Sequence, residues 1–167
     1  MKAFNETQLF ERVRDIPYYT SDASAQSCFD KCIALKHRLD AHGHICNLMI
    51  GDFYWSDLKL PKEIMRLCNK DKEGHVFLRV KAPTGGGWMN LDPTIDIALG
   101  EYFTVEQWDG RSSTGIMMPL TNIRVYRPFS FLERTKSKAR RLLHRTEPNK
   151  VFYRAFDSWL DDMRLGN

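Results

Sequence analysis

Ser27-Cys28-Phe29-Asp30 is a capping box: a serine whose hydroxyl accepts from the third helical N–H, and an acid at that position which reaches back to the serine N–H. Gly43, suited to a left-handed cap, closes the same segment, so the spacing predicts a helix from Cys28 to about His42. Cys28, Cys32, Leu35 and Leu39 recur at intervals of four, three and four and form one apolar stripe, with Lys31, Lys36, Arg38 and Asp40 mostly off it. A helix with one such stripe must bury it against another apolar surface.

The segments that follow read as strands. Ile45 to Ile50 and Phe53-Tyr54-Trp55 fit a strand bent or bulged at Gly51. Residues 61–69 fit a short helix opened by Pro61, and Asn69 to Gly74 a polar turn. Strands at 75–82 and 88–92 then form a hairpin about Pro83-Thr84-Gly85-Gly86-Gly87, ended by Asp92-Pro93. That glycine tract has no GxxxxGK[ST] pattern and leads into no helix, which argues against a phosphate loop. Upstream, residues 7–14 read as a short helix stopped by Ile16-Pro17, and Tyr18 to Gln26 as a loop. The C-terminal third is irregular until Ser130-Phe131-Leu132-Glu133, a second capping box, opens a basic helix to about Arg145. A last amphipathic helix at about 149–164 carries Phe152, Phe156, Trp159 and Leu160 on one side.

A chain of 167 residues is long enough to bury a core without disulfides or metal, and one domain is expected. The first residues carry no apolar signal region and no stretch of 18 or more apolar residues occurs, so a cytoplasmic protein without membrane contact is expected. Cys28, Cys32, Cys46 and Cys68 lack the paired spacing of a zinc site, and no EF-hand-like acidic loop is present; no metal or cofactor is expected.

The chemistry is carried by Cys28. A thiol reacts as its thiolate, and the first turn of a helix favours an anion through its unpaired N–H groups and the macrodipole. Alone, Cys28 reads as a small core hydrophobe; a nucleophile needs an imidazole within reach and an acceptor that fixes the imidazole tautomer. His37, His42 and His44 lie toward or beyond the far end of the Cys28 helix, and His144 in the basic helix. His75 opens a strand whose hairpin partner ends at Asp92, so plain antiparallel pairing makes His75 and Asp92 neighbours, with Asp96 the fallback for another register.

A cysteine at a helix start, followed by His and Asp on adjacent strands, resembles the transglutaminase-like superfamily of papain-like thiol enzymes. The resemblance rests on SCFDKC with the helix running to AHGHICNLMIGDFYW, then HVFLRV, then GGWMNLDPTIDIAL, with RDIPYY and FYRAFDSWLDDMR at the flanks as in small microbial members. It covers residues 12–99 well and the C-terminal part weakly, where a helical segment at about 128–165 is expected. It implies an α+β, papain-like core with the helix packed on an antiparallel sheet, and no cofactor. It also implies Cys28 as nucleophile, His75 as general base and Asp92 as orienting carboxylate. Cysteine-dependent acyl chemistry follows, most simply hydrolysis of a peptide or side-chain amide, with transamidation where an amine replaces water. The oxyanion would be held by the Cys28 N–H and a second donor, for which Gln26, Tyr18, Tyr19 and Trp55 are candidates. Phe77 stands where the family often has Trp, and Cys32 where it often has Ala; neither change removes a catalytic atom. No CxxC pair points to the related glycanases.

The basic helix needs a separate account. Arg134, Lys138, Arg141 and Arg145 share a face at helical spacing, most simply a solvated one. The alternative is a noncatalytic fold that binds nucleic acid or an acidic protein through that face, although no recognised nucleic-acid-binding signature accompanies it.

Overall fold

The computed structural model describes residues 5–20, 26–82, 86–127 and 149–166. The basic helix with Arg134, Lys138, Arg141 and Arg145, its capping box, and residues 83–85 of the glycine-rich turn lie outside the described residues. The fold is α+β. Helices α1 (Glu6–Arg14), α2 (Cys28–Ala41), α3 (Lys62–Met65) and α4 (Lys150–Arg164) accompany strands β1 (Ile45–Tyr54), β2 (Lys72–Lys81), β3 (Trp88–Leu91) and β4 (Thr121–Val125). The strands form one antiparallel sheet in the order β3-β2-β1-β4. Among the described residues no helix is long and apolar enough to cross a membrane.

Helix α2 begins and ends where its caps dictate. Ser27 Oγ accepts from Asp30 N at 3.3 Å while Asp30 Oδ2 accepts from Ser27 N at 3.2 Å, and Gly43 adopts φ +85° just past the C-terminus. Its stripe of Cys32, Leu35 and Leu39 packs with Val76, Leu78 and Val80 of β2, Phe10 and Val13 of α1, and Trp108. A second cluster gathers Phe53, Trp55 and Ile64 with Phe152, Phe156 and Leu160 of α4. Cys28 packs against both clusters.

Four features depart from the sequence reading. Residues 72–74, expected in a turn, extend β2, because Gly74, Glu73 and Lys72 pair with Asp52, Phe53 and Tyr54. The helix expected over 61–69 is the single turn of α3. Strand β4 was not expected; it lies along β1, and the β1–β4 register shifts between Ile50 and Asp52, at Gly51. Lys31, expected mostly off the buried stripe, is itself buried. Its Nζ donates to the carbonyls of Arg14, Ile16 and Thr94, each at 2.7 Å, so all three ammonium protons are satisfied.

Candidate active site

Cys28, His75 and Asp92 come from three elements whose local geometry brings them together. Cys28 is the first residue of α2, and its N–H is one of the four at a helix start that have no acceptor within the helix. His75 lies on β2 opposite Gly51 of β1, and Asp92 follows directly on the last residue of β3. The β2–β3 register pairs Leu78 with Leu91, so the next residue of one strand and the earlier residues of the other converge, and His75 Nε2 stands 2.7 Å from Asp92 Oδ2. The Cys28 side chain faces the same ring closely enough to help raise its pKa, and both residues line one cleft.

The carboxylate of Asp92 is fully used. Oδ2 also accepts from Met117 N at 3.0 Å, while Oδ1 accepts from Thr94 N at 3.1 Å and from Thr94 Oγ1 at 2.5 Å. Its own N–H donates to Thr114 Oγ1 at 2.9 Å. Gly51 contributes to this arrangement: a Cβ there would lie 2.8 Å from Leu120 Cβ. Only a glycine lets the segment after Met117 lie this close to β1.

Charge follows from these contacts. Burial by itself pulls the His75 imidazole below its ordinary 6.5, but the charge and hydrogen bond of Asp92, followed by the Cys28 side chain, outweigh it and raise the ring to about 10. Burial pushes the Asp92 carboxyl up, and the opposing effects of His75, Met117 N–H and Thr94 hold it below the usual carboxylate range. At neutral pH the pair is an imidazolium and a carboxylate. The other thiols differ. Burial holds Cys32 well above its ordinary value, where its Sγ donates to Val76 O at 3.4 Å; burial also lifts Cys46 to about 12 and raises Cys68.

Cys28 and His75 open onto a cleft of about 910 Å³, walled by Tyr18, Phe53, Trp55, Tyr126 and Tyr153 among the described residues. The donor candidates separate here. Tyr18 and Trp55 line the cleft, but Trp55 Nε1 is buried without a partner. Tyr19 is turned away, its hydroxyl donating to Asp161 of α4 at 2.7 Å. Gln26 is not on the cleft wall, and its Oε1 is buried without a partner. Asp96, the fallback carboxylate, accepts instead from Arg164 Nη2 at 2.8 Å.

Sequence reasoning missed the part that α4 plays. Arg164 donates to Tyr18 O and Asp96, and Asp157 Oδ1 accepts from Thr20 N at 2.8 Å, so α4 anchors the strip that precedes Cys28. Glu73, on the cleft wall two residues before His75, accepts from the Tyr153 hydroxyl at 2.7 Å. The polar residues on one flank of the amphipathic C-terminal helix were the signal available for these contacts. No protein-family model, curated protein or solved structure matches the chain.

Proposed function

We propose that the protein is a transglutaminase-like cysteine hydrolase or acyltransferase, acting on amide bonds through Cys28, His75 and Asp92 and a thioester intermediate. The observation that carries this reading is the buried imidazole of His75, bonded to Asp92 at 2.7 Å and electrostatically coupled to Cys28, with Cys28 and His75 lining the same cleft. A buried ion pair is costly to assemble, and one aimed at a partly exposed thiol has a chemical use that a core contact lacks. Asp92 holds the imidazolium and fixes its orientation; the imidazolium in turn stabilises a thiolate beside it.

The Cys28 thiolate attacks the carbonyl, His75 protonates the leaving amine, and the thioester remains on Cys28. His75, now neutral, accepts a proton from water or from an amine, which attacks the thioester and regenerates the thiolate. Water gives a carboxylic acid, and an amine gives a new amide. Peptide and side-chain amides are the substrate class, and the aromatic walls suit an extended peptide more than a compact polar metabolite.

The test needs no substrate. The rate of iodoacetamide alkylation is measured for each cysteine by peptide mass spectrometry, in the wild type and in His75→Ala. Cys28 is expected to react at least about tenfold faster than Cys32, Cys46 and Cys68, and His75→Ala to remove most of that advantage. A Cys28 as slow as Cys32, or one indifferent to His75→Ala, overturns the reading.

A further inference from the structure

We infer that the Tyr18 hydroxyl is the second donor of the oxyanion hole, acting with the backbone N–H of Cys28. The inference rests on the thiol chemistry proposed above and supplies the group that a tetrahedral intermediate on Cys28 requires.

Tyr18 is 5% exposed and lines the same cleft as Cys28 and His75. Its two hydrogen bonds among the described residues both belong to its backbone. Tyr18 N donates to Asp96 Oδ2 at 3.3 Å, and Tyr18 O accepts from Arg164 Nη2 at 2.8 Å. The hydroxyl is therefore uncommitted on a backbone pinned at both ends. Lys31 adds to the pinning by holding Ile16 O and Thr94 O to α2, one turn from Cys28. A donor fixed in place before charge develops costs no reorganisation when it does, which is the property an oxyanion hole needs.

The phenol also keeps its proton. Burial first, then the charge on Cys28, and after it Asp157 and Asp92, hold its pKa well above 10.0. The same balance makes Tyr18 and Cys28 electrostatic neighbours. The rival donors are spent or sealed. The Tyr19 hydroxyl is bound to Asp161, with the Arg164 guanidinium 4.9 Å from its ring centre. Trp55 is walled by Phe53, Phe152 and Phe156, whose ring centres lie at 4.9, 4.9 and 5.3 Å.

In the step concerned, Cys28 Sγ bonds to the carbonyl carbon and the C=O π pair moves onto the oxygen. That oxygen accepts from the Cys28 N–H and the Tyr18 O–H. The pair then returns to carbon, the bond to the leaving group breaks, and the leaving group takes the proton of His75.

Tyr18→Phe removes one oxygen and keeps the packing. Two reactions of Cys28 are compared in this variant and in the wild type: acylation by 4-nitrophenyl acetate, followed as the burst of 4-nitrophenolate, and alkylation by iodoacetamide. Alkylation is displacement at a saturated carbon and forms no oxyanion. The expected result is an acylation rate lowered by about 10²–10³, with alkylation within about twofold of wild type. Acylation at the wild-type rate overturns the inference. So does an equal loss in both reactions, because it assigns Tyr18 to the setting of the thiol. A loss confined to Trp55→Phe gives the role to the indole and also overturns it. Failure of the underlying reading shows separately: a wild type whose Cys28 is neither acylated nor quickly alkylated removes the nucleophile itself.

Discussion

His75 and Lys31 are buried bases whose surroundings move them in opposite directions. His75 is raised from 6.5 to about 10 because Asp92 and Cys28 outweigh its burial, whereas burial takes Lys31 from 10.5 to about 8 against the pull of Asp96 and Asp92. Between pH 6.5 and 8 the folded chain keeps a proton on His75 that the unfolded chain has released, so stability falls as pH rises. One proton changes stability by about 1.4 kcal/mol per pH unit, or about 2 kcal/mol over that window. From about pH 8 the unfolded chain keeps a Lys31 proton that the folded chain has lost, which opposes the His75 slope, and from about pH 9 burial keeps protons on Cys32 and Cys46 that the unfolded chain releases, so stability falls again. Urea unfolding is therefore expected to show stability falling from pH 6.5 to 8; a level profile across that window would remove the imidazolium from His75. Asp92 acts on the acid side: its contribution is present above the ordinary carboxyl range and lost as pH falls through its depressed value. At this scale the histidine and the aspartate were legible, because hairpin register is local. The burial of Lys31 was not, because its three acceptors lie 17, 15 and 63 residues away in the chain.

Among the elements, α4 does for the strip before Cys28 what β3 does for Asp92. Arg164, with its side chain 11% exposed, donates to Tyr18 O, Asp96 and Asp161, and Asp96 is more deeply buried still. Arg164→Met leaves the Asp96 carboxylate buried without its cation and is expected to cost about 3–5 kcal/mol. Arg164→Met/Asp96→Asn removes both charges and is expected to recover part of that loss. A double-mutant cycle in urea with no coupling between the two sites would show that the pair holds nothing together. Helices α2 and α4 were readable from capping and apolar spacing, each a signal confined to one segment. Strand β4 was not: Thr121-Asn122-Ile123-Arg124-Val125 is five residues long, exposed throughout, and includes Asn122 at φ +50°. Thr121, Ile123 and Val125 do alternate with Asn122 and Arg124, but the run is short, both apolar side chains stay half exposed, and its partner β1 lies some seventy residues upstream. The early start of β2 was hidden for a related reason, since Lys72-Glu73-Gly74 has turn-like composition and is extended only by its pairing with β1.

Two apolar clusters make up the described interior, and Cys28 touches both. The first joins α1 and α2 to the sheet; the second joins α4 to the end of β1 and to the segment after Asp92. The catalytic proposal needs both, because the thiol is set by the first cluster, and the Tyr18 strip and the aromatic cleft wall by the second. This division was only half legible: the helix-and-hairpin half follows from neighbours in sequence, whereas Trp55 meets Phe152 and Phe156 across about a hundred residues. A junction that both clusters complete should couple them. Leu35→Ala in the first cluster and Phe156→Ala in the second each delete a fully buried side chain, and each is expected to cost about 2–5 kcal/mol. Both variants should shift one common unfolding transition, followed by tryptophan fluorescence and by far-ultraviolet circular dichroism, with the denaturant slope unchanged. If Phe156→Ala instead splits the curve, moving a fluorescence phase while the dichroism of the sheet and α2 stays in place, the halves fold apart. Cys28 would then sit on a boundary that opens independently, and fast alkylation of its thiol would report that opening in place of an activated nucleophile.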